Sequence, residues 1–362
     1  MRKILLPAAI LANTIIGAGM FAIPYAFVQT GFRAGIFYLS ALTATLILLH
    51  LMYADIVATQ DGDHRLVGYA AARFGKKGFA AASIINGISL FGGLLVYLAL
   101  GSDFLGAFVK NPTMSLYAAW ALCSVALIAG THLFRNLEWL LATLMAALIA
   151  AVYVAGLPHF NPTVGSGDPI SGLFLLYGIG LFSLYGASAI PEMKDFFIDK
   201  KVTAKIVALG TVLPALLYFL FVVGIQGLSS ASVSQDALSG IERYPFFKQI
   251  GYLLGLLAVS TSYWALSINL KNVLRFDYGT KNALSVALVL AAPLAVFSFL
   301  KEDFITLMGF VGSIAIGLEA MLIVLLYLRI RGIGASRFRI PLVIAFVLLL
   351  LFAAGVIQHV IM

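Results

Sequence analysis

Two clusters of backbone-breaking residues interrupt apolar segments that would otherwise run through a membrane unbroken. The first is Asn13-Thr14-Ile15-Ile16-Gly17-Ala18-Gly19, closed by Pro24-Tyr25, and the second is Tyr185-Gly186-Ala187-Ser188-Ala189-Ile190-Pro191. Glycine pairs and prolines let a helix unwind, and bare N–H and C=O groups are tolerated at membrane depth only where they line a cavity or meet a ligand. The chemistry this offers is recognition of a small zwitterion such as an amino acid. Unwound N–H groups around Thr14, Ile15, Gly17, Ala18 and Gly19 carry the partial positive charge that holds an α-carboxylate. Phe182, Ser183, Tyr185 and Gly186 supply an opposite wall, whose carbonyls accept from an α-ammonium and whose rings stack on it. Small residues in membrane helices also serve close packing, so both roles stay open for the glycines. Tyr97, Tyr263 and Trp264 are further candidate pocket aromatics.

Ion coupling needs either several oxygen ligands or a titratable group facing the site. Ser260-Thr261-Ser262 offers three hydroxyls for a hard cation, although such hydroxyls commonly bond the carbonyl four residues back in their own helix. Glu319 and Glu192, both inside apolar segments, are the candidate proton carriers; the alternative role is a carboxyl group that pairs helices. Asp55, Asp103 and Glu138 fall near segment ends, where a solvated position is expected. His50, His132 and His359 are scattered without a nucleophile motif or an H-E-x-x-H pattern, which argues against an enzyme and leaves them as interfacial side chains. No cofactor is expected. Repeated filter loops or charged rings, the marks of a channel, are missing.

The elements that position these residues follow from composition. The chain has 362 residues, 62% hydrophobic and 10% charged, with a mean hydropathy of +1.04. That makes it an all-α, multi-pass protein whose solvent is the lipid bilayer. Apolar runs of about 20 residues read as spans. Eleven are predicted, at 5–29, 32–58, 79–109, 114–133, 138–157, 170–197, 204–227, 246–275, 281–299, 303–328 and 340–361. The first is too long and too polar in its centre for a signal peptide. With the N-terminus cytoplasmic, 18 of the 23 Lys and Arg fall on the cytoplasmic side, against Arg33, Lys110, Arg243, Lys248 and Lys301 outside. The positive-inside rule therefore predicts the N-terminus inside and the C-terminus outside, in a plasma (cell inner) membrane. The formal charge of +8 contains no basic run, so no nucleic-acid partner is expected. The single cysteine, Cys123, is a core residue on this pattern; oligomeric state is not readable.

Two loops are long enough to carry structure. In 59–78, the spacing of Leu66, Tyr69, Ala70 and Phe74 predicts a short interfacial helix, and 228–245 is either an outer lid or a plain connection. The spans divide into a first five-helix repeat over 1–157, a second, inverted one over 170–328, and an additional span at 340–361. In that division the two broken segments are spans 1 and 6, the first helix of each repeat. Paired discontinuous helices of this kind mark the midplane substrate site of inverted-repeat secondary transporters.

The run from Asn13 to Phe27, followed by Thr30-Gly31-Phe32, resembles the first-span signature of the amino acid/auxin permease family, within the amino acid-polyamine-organocation superfamily. Tyr69, Phe74 to Gly78, Tyr97-Leu98, Gly101 to Leu105, Phe182 to Gly186 and Ile190 to Met193 are similar to later stretches of that family. The likeness runs through roughly 1–275, and the last three spans match only in hydropathy. Bacterial tyrosine/tryptophan permeases share the Gly-Ala-Gly-Met-Phe core. The resemblance implies the five-plus-five leucine-transporter fold and alternating-access symport of amino acids, neutral ones first. It also implies a Na⁺ site where Asn13 and first-span carbonyls such as that of Ile16 meet a hydroxyl of Ser260, Thr261 or Ser262. Some relatives in the superfamily use a fifth-span lysine for proton coupling, and 138–157 contains none. The alternatives are a proton-coupled aromatic amino acid permease and a transport-inactive amino acid sensor.

Overall fold

The computed structural model describes residues 2–60, 64–129, 131–163, 169–229, 232–300 and 302–361. Among these, every regular element is a helix. The first expected span is split into α1 (Arg2–Ile15), a 3₁₀ turn (Ala18–Phe21) and α2 (Ile23–Thr30). Next come α3 (Phe32–Ala58), α4 (Leu66–Gly106), α5 (Pro112–Ala129) and α6 (Thr131–Gly156). The sixth expected span is α7 (Pro169–Leu184), continued by 3₁₀ turns at Ala187–Ala189 and Pro191–Phe196. α8 (Lys200–Leu228), α9 (Pro245–Asn272) and α10 (Asn282–Leu300) follow. The tenth span joins α11 (Phe304–Phe310) to α12 (Gly317–Gly332) through a π-helical stretch (Val311–Ile316), and α13 (Leu342–Ile361) closes the fold.

Nine described helices are long and apolar enough to cross a membrane, and the bent first pair makes ten. The predicted span at 114–133 falls on α5 and the start of α6 and is not among them, so the count of eleven is not reached among the described residues. The expected span at 138–157 falls in the counted helix Leu140–His159.

Lipid cannot drive helices together, so their contact rests on van der Waals packing at small residues. A Cβ placed on Gly178 of α7 would lie 2.6 Å from both the Gly309 carbonyl oxygen and Ser313 Oγ, and one on Gly312 would strike the Gly178 carbonyl. α7 and the π-helical stretch therefore touch backbone to backbone. Gly156 of α6 meets Gly224 and Gly227 of α8 in the same way.

On the face that carries the N-terminus, Asp55 corrects the expectation of a solvated carboxylate. It is fully buried at the end of α3 and accepts from Ser336 Oγ at 2.8 Å and from the backbone N–H groups of Arg337 and Phe338 at 3.0 and 3.2 Å. Arg337 in turn donates to the carbonyls of Phe197 and Ile198. One carboxylate thus ties α3 to the α12–α13 connection and, through Arg337, to the end of the broken sixth span. The segment Leu66 to Phe74 is helical and ends at a break at Gly75, where φ is 63° and glycine is favoured. Most of its apolar stripe is covered by protein rather than by the membrane surface: Leu66, Tyr69 and Ala70 are buried, and Phe74 alone of the four is exposed. In the 228–245 connection, Val233, Leu238 and Ile241 are buried, and Asp236 accepts from Ser234, Ser239 and Tyr252. That is a packed cap, anchored to α9.

Filling the α7 crossing should be costly. Gly178→Val is expected to lower the melting temperature in detergent by several degrees, corresponding to about 1–3 kcal/mol of overpacking, whereas Gly87→Ala, where a Cβ meets nothing within 4 Å, should leave it unchanged.

Candidate functional site

Local chemistry breaks the first span where the glycines stand. α1 closes with the Ile16 N–H on the Ala12 carbonyl at 2.7 Å, and Gly17 is extended at φ −142° and ψ −164°. The two halves of the span are bent by 58°. In the sixth span the break falls at Gly186, with φ −117° and ψ 17°. Freed backbone groups at this depth need partners, and three side chains supply them. Tyr218 of α8 donates its hydroxyl to the Ile15 carbonyl at 2.6 Å and lies 3.2 Å from the Ser183 carbonyl, so a single phenol spans both breaks. Ser183 Oγ donates to the Gly19 carbonyl at 3.0 Å. His50 Nε2 accepts from the Gly186 N–H at 3.1 Å, and its Nδ1 lies 3.1 Å from Thr211 Oγ1. With Nε2 accepting, a neutral ring carries its proton on Nδ1 and donates it to Thr211. His50 is fully buried, which overturns its assignment to the interface.

The two breaks open onto a cavity of about 220 Å³. Tyr97 and Phe182 meet edge to face across it, with ring centroids 5.7 Å apart. Asn13, Thr14, Ile16, Tyr185, Thr261 and Ser262 share the lining. Towards the face that carries the N-terminus, the wall continues to Glu319, which accepts from Asn86 Nδ2 at 3.2 Å, and to Arg65 and Glu192, paired at 3.3 Å. Both members of that pair are partly exposed, so the cavity reaches the surface there. In the opposite direction Phe21, Phe104 and Phe221 are fully buried and stacked edge to face at 4.9 and 5.8 Å, with Tyr252 against Phe104. This aromatic plug separates the cavity from the cap at 228–245.

Among the described residues, Ile15, Gly17, Gly19, Gly186, Ser260 and Tyr263 are not part of the lining. Ile15 packs against Gly186, where an added Cβ would lie 2.7 Å from Ile15 Cγ1 and Leu11 Cδ1. Gly19 faces Ser183, and Gly17 faces Ser262, where an added Cβ would lie a tight 3.0 Å from its Oγ. Ala18 opens the 3₁₀ turn, and its side chain lies outside the described structure. Tyr263 is fully buried behind the wall. Ser260 donates to the Leu256 carbonyl and Thr261 to the Ala258 carbonyl, the intrahelical bonding expected of such residues. Cys123 is buried, with its Sγ 3.7 Å from Ser260 Oγ. His50, Thr211, Tyr218 and Asn86 are the site residues that sequence reasoning missed. Only His50 carried a signal, as a lone histidine inside an apolar run.

The sequence profile of the tryptophan/tyrosine permease family matches residues 1–362. The chain belongs to that family. The permease is 24% identical over 339 residues to tyrosine-specific transport system 1 of Haemophilus influenzae, an alignment covering 86% of this chain and 84% of that protein. It is 21% identical over 347 residues to glutamine transporter 2 of Aliivibrio fischeri, covering 90% and 88%. In structure it is similar to MhsT in complex with L-phenylalanine, with a TM-score of 0.69 at 13% identity over 98% of each chain. It is also similar to the Eremococcus coleocola manganese transporter, with a TM-score of 0.63 at 14% identity over 97% of this chain and 85% of that one. The permease therefore has the leucine-transporter fold and is a transporter, not an enzyme. The assignment to the amino acid/auxin permease family is corrected. Its main warrant was the first-span run from Asn13 to Phe27, and the Gly-Ala-Gly-Met-Phe core of that run, which unwinds a membrane helix, serves both families alike.

Tyr218→Phe removes the hydroxyl from both breaks and strands the Ile15 carbonyl. The variant is expected to lose about 1–3 kcal/mol of stability, the cost of an unsatisfied buried acceptor, read as a lower melting temperature in detergent.

Proposed function

We propose that this permease is a secondary active transporter of aromatic amino acids, with tyrosine its first candidate substrate, coupled to protons and working by alternating access. The observation that carries this reading is the cavity at the two helix breaks. It joins unwound backbone, suited to an α-carboxylate and an α-ammonium, to a wall of Tyr97, Phe182 and Tyr185. Aromatic rings pack edge to face with a gain of about 0.5–1.5 kcal/mol beyond burial, so this wall suits an aromatic side chain better than a small one. Family membership and the tyrosine-specific relative from Haemophilus influenzae support the same substrate class. The cavity reaches one face past the Arg65–Glu192 pair and is plugged on the other by Phe21, Phe104 and Phe221, an arrangement suited to a state open to one side. With the N-terminus cytoplasmic, that state faces inward.

The domain reading that fits this cycle is the inverted pair of repeats at 1–157 and 170–328, with an additional span at 340–361. Its support is that each repeat begins with a broken helix. A second coupling reading has one observation in its favour: Asn13, Ile16, Thr261 and Ser262 line a single cavity, which would place a Na⁺ ion beside Ser260 and the first break.

Uptake into proteoliposomes of a labelled panel containing tyrosine, tryptophan, phenylalanine, glutamine and alanine tests the proposal. Accumulation of the aromatic members under an inward proton gradient is expected, and Phe182→Ala should raise their KM roughly tenfold. A Na⁺-driven response would move coupling to the Asn13 set, preference for alanine or glutamine would overturn the substrate class, and binding without flux would indicate a sensor.

A further inference from the structure

We infer that Glu319 is the proton-binding site of the transport cycle, a carboxyl group in the cavity wall that takes up the coupled proton on one side of the membrane and releases it on the other. The inference rests on the transport reading above and names the group that would couple it. Glu319 lies in the first turn of α12 and is only 6% exposed, yet it lines the cavity. Among the described residues no basic side chain pairs with it; the ion pair in this cavity belongs to Arg65 and Glu192. A lone carboxylate held away from water costs several kcal/mol unless a cation joins it.

The surroundings select which cation. Asn86 turns its Nδ2–H towards Oε1, and the hydroxyls of Ser89 and Tyr185 stand beside the carboxyl group. A metal ion would call for about six or more oxygen ligands, and here an N–H donor faces the carboxylate instead. A proton needs no further ligand. Hydroxyl groups donate to a carboxylate and, rotated, accept from a carboxylic acid, and an amide offers both a donor and an acceptor. The shell can therefore partner the carboxyl group in either protonation state. A proton leaves a hydronium ion, whose O–H bond breaks as an O–H bond forms on Glu319, and on release the Glu319 O–H bond breaks as a water molecule takes the proton.

The other titratable and charged groups leave this role free. On α3, Tyr53 faces the same cavity, while His50 is bonded to Gly186 and Thr211, and Asp55 to Ser336 Oγ and the backbone N–H groups of Arg337 and Phe338. α4 contributes Tyr97, the sixth span Tyr185 and the Arg65-paired Glu192, and α13 carries His359, which lies against Phe310 away from the site. Coupling to substrate has a physical route. The π-helical turn just before Glu319 packs through Gly312 on Gly178 of α7, and α7 leads into Tyr185, which belongs both to the substrate wall and to the Glu319 shell. π-helical turns are frequent at functional sites.

The test compares Glu319→Gln with the wild type in proteoliposomes, using labelled L-tyrosine in two assays: accumulation under an inward proton gradient, and one-for-one exchange against internal unlabelled L-tyrosine. Exchange moves no net proton. Glu319→Gln is expected to lose proton-driven accumulation by roughly tenfold or more while exchange and L-tyrosine binding stay within about twofold, and Glu319→Asp should restore part of the drive. Retained drive in Glu319→Gln would overturn the inference, as would loss of binding in a monodisperse variant, which would make the carboxylate a substrate ligand. Wild-type tyrosine uptake that ignores a proton gradient and follows Na⁺ would overturn the inference while leaving amino acid transport standing; no uptake of any amino acid would sink the transport reading itself. Should Glu319→Gln not be recovered folded, Glu319→Asp decides the matter through the pH profile of uptake, which must shift for the inference to hold.

Discussion

The fold turns on one constraint: backbone groups freed by unwinding a helix inside a membrane must find partners that are not lipid. Gly17 and Gly186 create the openings, and Tyr218, Ser183 and His50 settle the groups that are not left for a ligand. Each of these bonds joins two different helices. The breaks are consequently not loose points in the first and sixth spans but cross-linked ones, with α3 and α8 recruited as braces. What remains unclaimed by protein at that level faces the cavity, and this is why the cavity lies at the breaks rather than elsewhere in a uniformly apolar bundle.

The same economy governs the two ends. On one side, aromatic rings fill the space above the cavity without a polar atom at stake, and Asp236 organises the cap beyond them. On the side of the N-terminus, polar bonds do the joining: Asp55 gathers Ser336, Arg337 and Phe338, Arg337 reaches Phe197 and Ile198, and Arg65 meets Glu192. A carboxylate with several donors is a strong fixed junction, while a single partly exposed ion pair contributes at most about 1 kcal/mol. The Asp55 junction therefore suits a hinge that persists, and the Arg65–Glu192 pair a contact that can open and close.

What was legible in the sequence was local. The Gly-x-Gly and Gly-to-Pro runs encode unwinding by themselves, hydropathy encodes spans, and the helical stripe of Leu66, Tyr69 and Ala70 is real. What lay hidden depends on partners remote in sequence. Tyr218 meets Ile15 across 203 positions, His50 meets Gly186 across 136 and Asp55 meets Ser336 across 281. Nothing near His50 or Asp55 announces a buried partner, so proximity to a segment end was a poor guide to solvation. The stripe at 66–70 was read with the wrong neighbour for the same reason, since periodicity shows that a face is apolar and not whether lipid or protein covers it. The family was misassigned because a motif that answers a physical need shared by several families cannot choose between them; the profile spanning 1–362 could.

Substrate protection of an engineered thiol tests the central claim, that the broken helices form the substrate site, most directly. With the native cysteine removed by Cys123→Ser, Thr14→Cys and Ser188→Cys each place a thiol on the exposed cavity wall at one of the two breaks. The account predicts that L-tyrosine slows maleimide labelling at both positions, whereas labelling at both sites that proceeds at the same rate with saturating amino acid present would contradict it.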